Sequence, residues 1–456
     1  MKIKNIFKFL IIAFLATQLG ACDKNEAEQK FDKTPTERIN AQKKELNDVL
    51  LTSEYGWKAV YYTDNTQLGG FTHLFKFSVD GKVAMASDFD SDTSIYNSDY
   101  SIEMGSTVSL LFSTKNRIHL LSDANNSPTA GLKGKGYKGD FQFLYYGQEN
   151  GEIIFKTNRF QELRFVKATA EDWTDLELNT EMAQNVIGSD KRSIFRFLEI
   201  NDGTDIHKLD FNYASNTRFA TANSVEQGYS KSYNMGIAFT KKGIIVSPAI
   251  EVSNQQLTEF IYDDVSEGFT ATGTNGVSAA IKYSDKPLIL TDDYKLLLPG
   301  GGNNVYAYMH GFTEFEGPNS PLFLSLLGDI EKASGVPLIR AQFWFNNTDG
   351  TNYVEYRSGD NQTEVRYYHY FTIKADDVNK TVIFIPGVWK KSTAIAGESA
   401  TPPEGPTISR PSFLKALDDE FMNPNGLYFA EIPVIGYRGY TFASATSPFR
   451  MVVGSL

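Results

Sequence analysis

One cysteine, five histidines and a few paired acids are most of what this 456-residue chain offers to nucleophilic, metal or acid–base chemistry. His73, His119, His207, His310 and His369 are scattered, and none begins the HExxH of a zinc hydrolase. No GxSxG nucleophile elbow occurs. His119, in the strand-like run RIHLLSD, is the histidine best placed for a special role, through pairing with Asp123; a half-buried strand histidine bonded locally is the simpler expectation. Asp263 with Asp264, Asp292 with Asp293 and Asp418 with Asp419 would serve glycoside hydrolysis only if two carboxylates faced each other about 5 to 10 Å apart across a bond. Sequence adjacency does not supply that geometry, so turn or helix-surface acids are expected. In DFDSDTSIYNSD, Asp88, Asp90, Asp92 and Asp99 partly mimic a calcium loop, but Thr93 stands where glycine belongs and a bidentate Glu is missing. A solvated acidic loop is the plainer reading. The run LPGGGNN (298–304) lacks the Gly-Lys-Ser/Thr ending of a phosphate loop and reads as a turn. No metal or cofactor is implied.

The cysteine is different, because its surroundings carry a meaning. Lys2, Lys4 and Lys8 precede the apolar run FLIIAFLATQL, and the small residues Gly20 and Ala21 lead into Cys22. That three-part layout is a secretory signal, with an apolar run too short to span a bilayer comfortably. A Leu-x-Ala-Cys box points to the bacterial lipoprotein pathway: Cys22 is expected to be lipidated at sulfur and to become the first residue after cleavage. Acyl chains contribute roughly 0.8 kcal/mol per buried methylene, enough to hold a soluble domain at a membrane. Residues 1–21 are thus read as signal peptide and 22–33 as lipidated N-terminus and charged tether. A lone cysteine excludes an intrachain disulfide. The net charge of -11, which loss of the three signal lysines makes more negative, argues against nucleic acid as a partner.

The elements come next. Thr34-Pro35-Thr36-Glu37 is a capping box with proline at the first helical position, and Ile39, Leu46, Val49 and Leu50 give the helix one apolar stripe before Gly56. Period-two patterning then predicts strands over 57–62, 71–77, 82–86, 99–104, 107–113, 117–121, 140–146, 152–157 and 160–166, with Asp80-Gly81 and Asn150-Gly151 as type I′ hairpin turns. A run of sequential strands after one helix predicts an up-and-down meander, closed or nearly closed. The programme restarts at Thr169-Ala170-Glu171-Asp172, with a helix to about Ile187 and strands from Ser193. Segments 98–122 and 232–248 share a residue order, as do 141–156 and 260–273, a weak internal repeat. A third start is Ser320-Pro321, followed by strands at 340–346, 352–357, 364–374 and 380–386, a loop over Thr401–Pro406 and a helix from Pro411 to Phe421. The expected fold is mainly β: tandem antiparallel barrel-like or sandwich-like units, each preceded by a helix, with a few additional helices in the C-terminal third. The expected units are 34–168, 169–296 and an α+β region over 297–456.

The blocks FDKTPTERI, SEYGWKAVYY, GGFTHLFKFSVDGKVAMASD, FSTKNRIHLLSD and GYKGDFQF resemble those of an uncharacterised lipoprotein family of Bacteroidota, a domain of unknown function. The resemblance covers residues 22–167 well, is general across the second unit and is not motif-specific beyond it. It implies an outer-membrane lipoprotein close to a SusC/SusD-type nutrient importer, and it brings no catalytic residues. Asp23 and Glu26, with Lys24 between them, are similar to the acidic signals that send such lipoproteins to the cell surface.

Aromatics supply the binding expectation. Tyr61-Tyr62, Tyr145-Tyr146 and Tyr367-Tyr368-His369-Tyr370-Phe371 place adjacent rings on strands, where neighbours face opposite sides. Tyr145, Tyr146, Tyr368 and Tyr370 are therefore candidate ligand platforms, since an exposed tyrosine combines an apolar body with a hydroxyl. Ordinary cross-strand packing is the alternative. The expected function is noncatalytic capture of an oligosaccharide or peptide for an uptake system; a surface hydrolase of the same substrates, or a structural or adhesive protein, are the other classes. The lipid anchor gives the first test. Cys22→Ser is expected to abolish incorporation of radiolabelled palmitate and to leave an uncleaved precursor, and normal labelling of that variant would end the lipoprotein reading.

Overall fold

The computed structural model describes residues 34–105, 107–187, 194–301, 304–310, 319–359, 363–395, 406–434 and 437–456. The expected signal and tether, with Cys22 between them, lie outside these residues. Thr34 caps α1 (Pro35–Leu50) as its sequence predicts: Thr34 Oγ1 accepts from Glu37 N, and the Glu37 carboxylate accepts from Thr34 N. Leu46 and Leu50 sink into the first core, and Trp57 fixes the chain's exit from the helix by donating to Leu50 O at 2.9 Å.

Eight strands then close in simple sequential order: β1 (Trp57–Tyr62), β2 (Gly70–Phe77), β3 (Lys82–Ser87), β4 (Tyr96–Met104), β5 (Val108–Phe112), β6 (Gln142–Glu149), β7 (Glu152–Lys156) and β8 (Glu162–Lys167), with β8 pairing back to β1. Every pair is antiparallel. Asn150 and Gly151 both take positive φ (52° and 83°), as a type I′ turn demands. Asp80-Gly81 differs from expectation. Only Gly81 is left-handed, and Gly81 N donates to Ser78 O while Ser78 N donates to Lys82 O, which is the three-residue loop with a glycine bulge. The expected strand at 117–121 is also corrected. Arg117–Leu121 is a 3-10 helix capped by Asn116, which turns Ile118 and Leu121 together into the barrel. A strand would have sent alternate residues to opposite faces.

A second meander repeats the plan. α2 (Ala170–Thr174) and α3 (Leu176–Ile187) replace the single expected helix, the break falling at Asp175, and β9 (Phe195–Asp202) through β16 (Val277–Ser284) close a second eight-stranded barrel. The segments that share a residue order take matching places. Residues 98–122 contain the fourth and fifth strands of the first barrel, and 232–248 fall on β12 (Ser232–Thr240) and β13 (Gly243–Val252), the fourth and fifth of the second. Residues 141–156 and 260–273 likewise fall on sixth and seventh strands.

The third barrel runs from β17 (Asn304–Met309) to β24 (Arg450–Ser455). Here the helix does not come first: a short 3-10 turn (Asp293–Leu297) precedes β17, and α4 (Pro321–Ser334), N-capped by Ser320, follows it. A second helix, α5 (Lys415–Phe421), packs Leu417 and Phe421 into the same core. An eight-stranded barrel has an interior just wide enough for its own side chains. Phe75, Phe112, Phe143, Phe155 and Phe165 occupy the first, and Phe343, Phe345, Phe384, Phe429 and Phe442 the third. Among the described residues, no helix is long and apolar enough to cross a membrane.

The first two barrels are locked together. Leu68, Gly69 and Gly70 at the start of β2 meet Gly236 and Ala238 on β12 so closely that a Cβ on Gly236 would stand 2.5 Å from Leu68 O and 3.0 Å from Gly69 Cα, and one on Gly70 2.9 Å from the Ala238 methyl. At the centre of the contact lies Asp88, fully buried, whose Oδ1 accepts from Thr72 N at 2.9 Å and from Arg218 Nη1 at 3.1 Å. Its Oδ2 accepts from Asn179 on α3 at 3.0 Å. Arg218 also donates to the carbonyls of Asp88 and Gly70 and lies 4.2 Å from the Phe71 ring centroid. Removing one partner of such a pair strands a buried charge and costs about 3–5 kcal/mol. Arg218→Met and Asp88→Ala should each lower stability by that amount in urea titrations, and a double-mutant cycle should show the two losses to be far from additive.

Inside the first barrel His73 is completely buried, and neither ring nitrogen has a hydrogen-bond partner. Burial, reinforced by Arg117 and Arg218, pushes its pKa down to about 3. The folded protein therefore keeps His73 neutral where the unfolded chain takes up a proton near pH 6.5, so the unfolded state binds more protons between the two values. Its contribution to stability is whole above about pH 6.5 and drains as pH falls toward 3, by about 1.4 kcal/mol per unit. His73→Leu should leave the urea midpoint at pH 7 nearly unchanged and flatten its decline between about pH 6 and 4.

Candidate ligand face on the third barrel

Four neighbouring strands of the third barrel carry its polar chemistry: β18 (Leu338–Phe345), β19 (Asn352–Gly359), β20 (Thr363–Asp376) and β21 (Thr381–Ile395). Ala341, Phe343, Phe345, Val354, Tyr356 and Phe371 enter the core. Strand alternation then sends Arg340, Gln342, Trp344, Tyr353, Glu355, Arg357, Arg366, Tyr368 and Tyr370 to the other face. Register aligns these residues in three rows across the strands: Trp344, Tyr353 and Tyr370; Gln342, Glu355, Tyr368 and Lys390; Arg340, Arg357, Arg366 and Ser392.

The first row is a shelf of rings. Trp344 and Tyr353 stack with centroids 6.0 Å apart and planes 26° apart, and Tyr353 meets Tyr370 at 5.4 Å. Trp344 and Tyr370 are half-buried, and the buried Trp344 Nε1 has no hydrogen-bond partner. The other rows form a charge network. Arg366, with no exposed surface, donates from Nε to Glu364 Oε2 at 3.0 Å and from Nη1 to Glu355 Oε1 at 3.4 Å. Arg357 Nη2 donates to Glu355 Oε2 at 3.1 Å. Three arginines directly opposite one another would repel; the two carboxylates between them make the arrangement tolerable.

The sequence-predicted residues divide sharply. Tyr145 lies in the first core and donates to Glu45 on α1 at 2.6 Å, so it presents no platform. Tyr368 is fully buried, with its hydroxyl 3.4 Å from Glu355 Oε1 and 3.3 Å from Ser392 Oγ, and it too offers no ring face. Tyr146 is exposed, with Lys156 Nζ 4.6 Å from its ring centroid, but it stands on the first barrel, away from the third-barrel rows. Tyr370 belongs to the shelf. His119 does not pair with Asp123: its Nδ1 accepts from Asn116 N as part of the 3-10 cap, its Nε2 lies 3.1 Å from Phe112 O, and Asp123 faces Lys115. The would-be calcium ligands diverge as well. Asp88 is at the inter-barrel joint, Asp90 and Asp92 face Arg117, and Asp99 binds Lys82. No group of His, Cys, Asp and Glu suited to a metal occurs among the described residues. Asp419 is a helix-surface acid paired with Lys415, as expected. Asp418 is not. It is fully buried and accepts from Tyr356 Oη at 2.9 Å and from Arg410 Nη1 at 3.2 Å, with His369 Nδ1 at 2.7 Å. His369 stacks on Trp389, and the cluster pins α5 into the barrel.

Sequence reasoning passed over Trp344, Tyr353, Arg340 and Arg357. The strict alternation of IRAQFWF and NYVEYRS was the available signal, because it puts Arg, Gln and Trp on one face and Tyr, Glu and Arg on the next.

Fold and site together define a mainly β protein of three tandem, closed, antiparallel barrels with an aromatic and charged outer face. The family described as domain of unknown function DUF4302 matches residues 27–264, and the chain belongs to it. No curated protein matches the chain. Among solved structures, an H. pylori beta clamp in complex with 5-chloroisatin aligns over 92% of this chain and 98% of its own at 8% identity, with a TM-score of 0.13, too low to bear on fold or function.

Proposed function

We propose that this protein is a lipid-anchored outer-membrane component, facing the cell surface, that captures an oligosaccharide or peptide without converting it and works beside a SusC/SusD-type importer. The observation that carries the reading is the row Trp344, Tyr353 and Tyr370 on the outside of a barrel whose inside is filled by its own rings. Trp344 and Tyr370, both half-buried, offer flat faces to sugar rings or apolar side chains, and the buried Tyr353 packs between them and holds them in place. The N-terminal layout around Cys22 supplies the anchor. The buried His369 and Asp418 pair does not favour hydrolysis, since Asp418 already holds Tyr356, Arg410 and His369 and is shut off from solvent.

A shallow face desolvates little area, so affinities of micromolar or poorer are expected. Anchoring beside an importer offsets this by raising effective concentration. Calorimetry on the purified chain from Asp23 onward, against panels of oligosaccharides and peptides, should find such binding with no product detectable by chromatography. Trp344→Ala should weaken it roughly tenfold, equivalent to about 1.4 kcal/mol, with the melting temperature nearly kept. Turnover of the bound compound would replace this reading with the hydrolase one, and absence of binding across the panels would leave the structural one.

A further inference from the structure

The arginine row is not neutralised by what surrounds it. Arg340, Arg357 and Arg366 stand side by side, against the two carboxylates Glu355 and Glu364. Arg366 engages both of these acids. Arg357 shares Glu355 at 3.1 Å and reaches Glu364 only at 3.9 Å, and its Nη2 also converges with Arg340 Nη1 on one neutral oxygen, Gln342 Oε1, at 3.4 and 3.1 Å. The other contact of Arg340 is the Met309 sulfur at 3.1 Å, a weak acceptor, and no carboxylate among the described residues lies within 4 Å of it. Arg357 Nε is a buried donor without a partner. Burial and the neighbouring Arg357 charge lower the Arg340 pKa, the mark of a cation short of compensation.

Two guanidiniums drawn over the Gln342 row leave a cationic seat beside the ring shelf. Gln342 and Trp344 are two residues apart along β18, so seat and shelf are separated by about 7 Å, the span of one substituted sugar ring. We propose that this face takes an anionic oligosaccharide: a carboxylate or sulfate group sits between Arg340 and Arg357, and the ring bearing it or its neighbour lies on the half-buried Trp344. The inference rests on the ligand-capture reading above and narrows its ligand class. Planar forks are suited to carboxylate and sulfate oxygens. An acidic peptide fits less well, because β18, β19 and β20 are each paired on both sides and leave no main chain free for strand addition.

The test is calorimetry on the purified chain with four matched probes: a trigalacturonate, a sulfated trisaccharide, a neutral trisaccharide and triglutamate. The trigalacturonate or the sulfated sugar should bind roughly tenfold or more tighter than the neutral one, and the two anionic arms tell carboxylate from sulfate. That advantage should shrink as salt is raised. Arg340→Gln should bring anionic affinity down to the neutral level, and Arg340→Lys, which keeps the charge but loses the fork, should fall between; melting curves establish that each variant folds. Equal affinity for neutral and anionic sugars in the unmodified protein overturns the inference and leaves the capture reading standing. Preference for triglutamate also overturns it. Binding of no oligosaccharide at all removes the inference, and the capture reading then rests on peptides alone.

Discussion

The Asp88 carboxylate has no contact with water, and every donor that makes this tolerable comes from a different part of the chain. Thr72 N belongs to the first barrel, Asn179 to the helix between barrels, and Arg218 to a turn of the second barrel. A buried carboxylate without partners is prohibitively unfavourable, so the three parts dock together or not at all. Glycine makes the approach possible. With side chains at Gly69, Gly70 or Gly236 the backbones would be held too far apart for Arg218 to reach Asp88 and the Gly70 carbonyl at once. Arg218 itself adopts φ +51°, a conformation uncommon for a residue with a side chain, in a turn whose carbonyls accept from Gly69 N and Ile237 N at 2.8 Å. The family match runs from residue 27 to 264, through the first barrel and the first six strands of the second, and so includes the joint.

A second constraint follows from strand number. Eight antiparallel strands closed on themselves enclose a space that side chains fill, largely aromatic rings in the first and third barrels and mostly aliphatic chains in the second. Chemistry that needs a ligand must therefore use outer faces, loops or joints. The outer face of the third barrel is set apart because its register lines up like with like: rings with rings and arginines with arginines. A shift of one residue in β19 would send Glu355 and Arg357 toward the core and Val354 and Tyr356 outward. The same core that fills the barrel thus fixes the rows outside it.

What could be read from sequence follows the range of the interaction responsible. The caps at Thr34, Thr169 and Ser320 are decided within a few residues, and all three form. Alternation within single strands is similarly local, which is why β18 to β21 were visible, whereas β17 and the last three strands, and with them the closure of the third barrel, were not anticipated. RIHLLSD misled because Ile118, Leu120 and Leu121 satisfy strand and helix alike, and the deciding group, the Asn116 cap, lies outside the apolar run. Asp88 misled for a different reason. Its partner Arg218 is 130 positions away, and its acidic neighbours suggested a solvated loop. Tyr368 could not be told from Tyr370 by type or parity; both face outward, and only the Glu355 and Ser392 contacts distinguish the buried ring. The arginine row needed the pairing of three strands, information that no single stretch contains.

A cationic seat on a chain of net charge -11 has a physical consequence for the proposed ligand. At physiological ionic strength, charges beyond about 8 Å are largely screened, so the acidic surface elsewhere exerts little pull or push on an anion already at the seat. Attraction is then short in range and is felt only once the guanidinium forks are nearly reached. Such a site gains little from long-range steering, and its preference among ligands is expressed mainly in how long the right one stays. The buried Glu355 and Glu364 sharpen this. They cancel most of the arginine charge seen from a distance, while leaving Arg340 and the Arg357 Nε without an anionic partner at contact. On the proposed reading, an acidic exterior that repels anions weakly and a seat that holds them at one place suit handing a ligand on, since release requires only that those few bonds be broken.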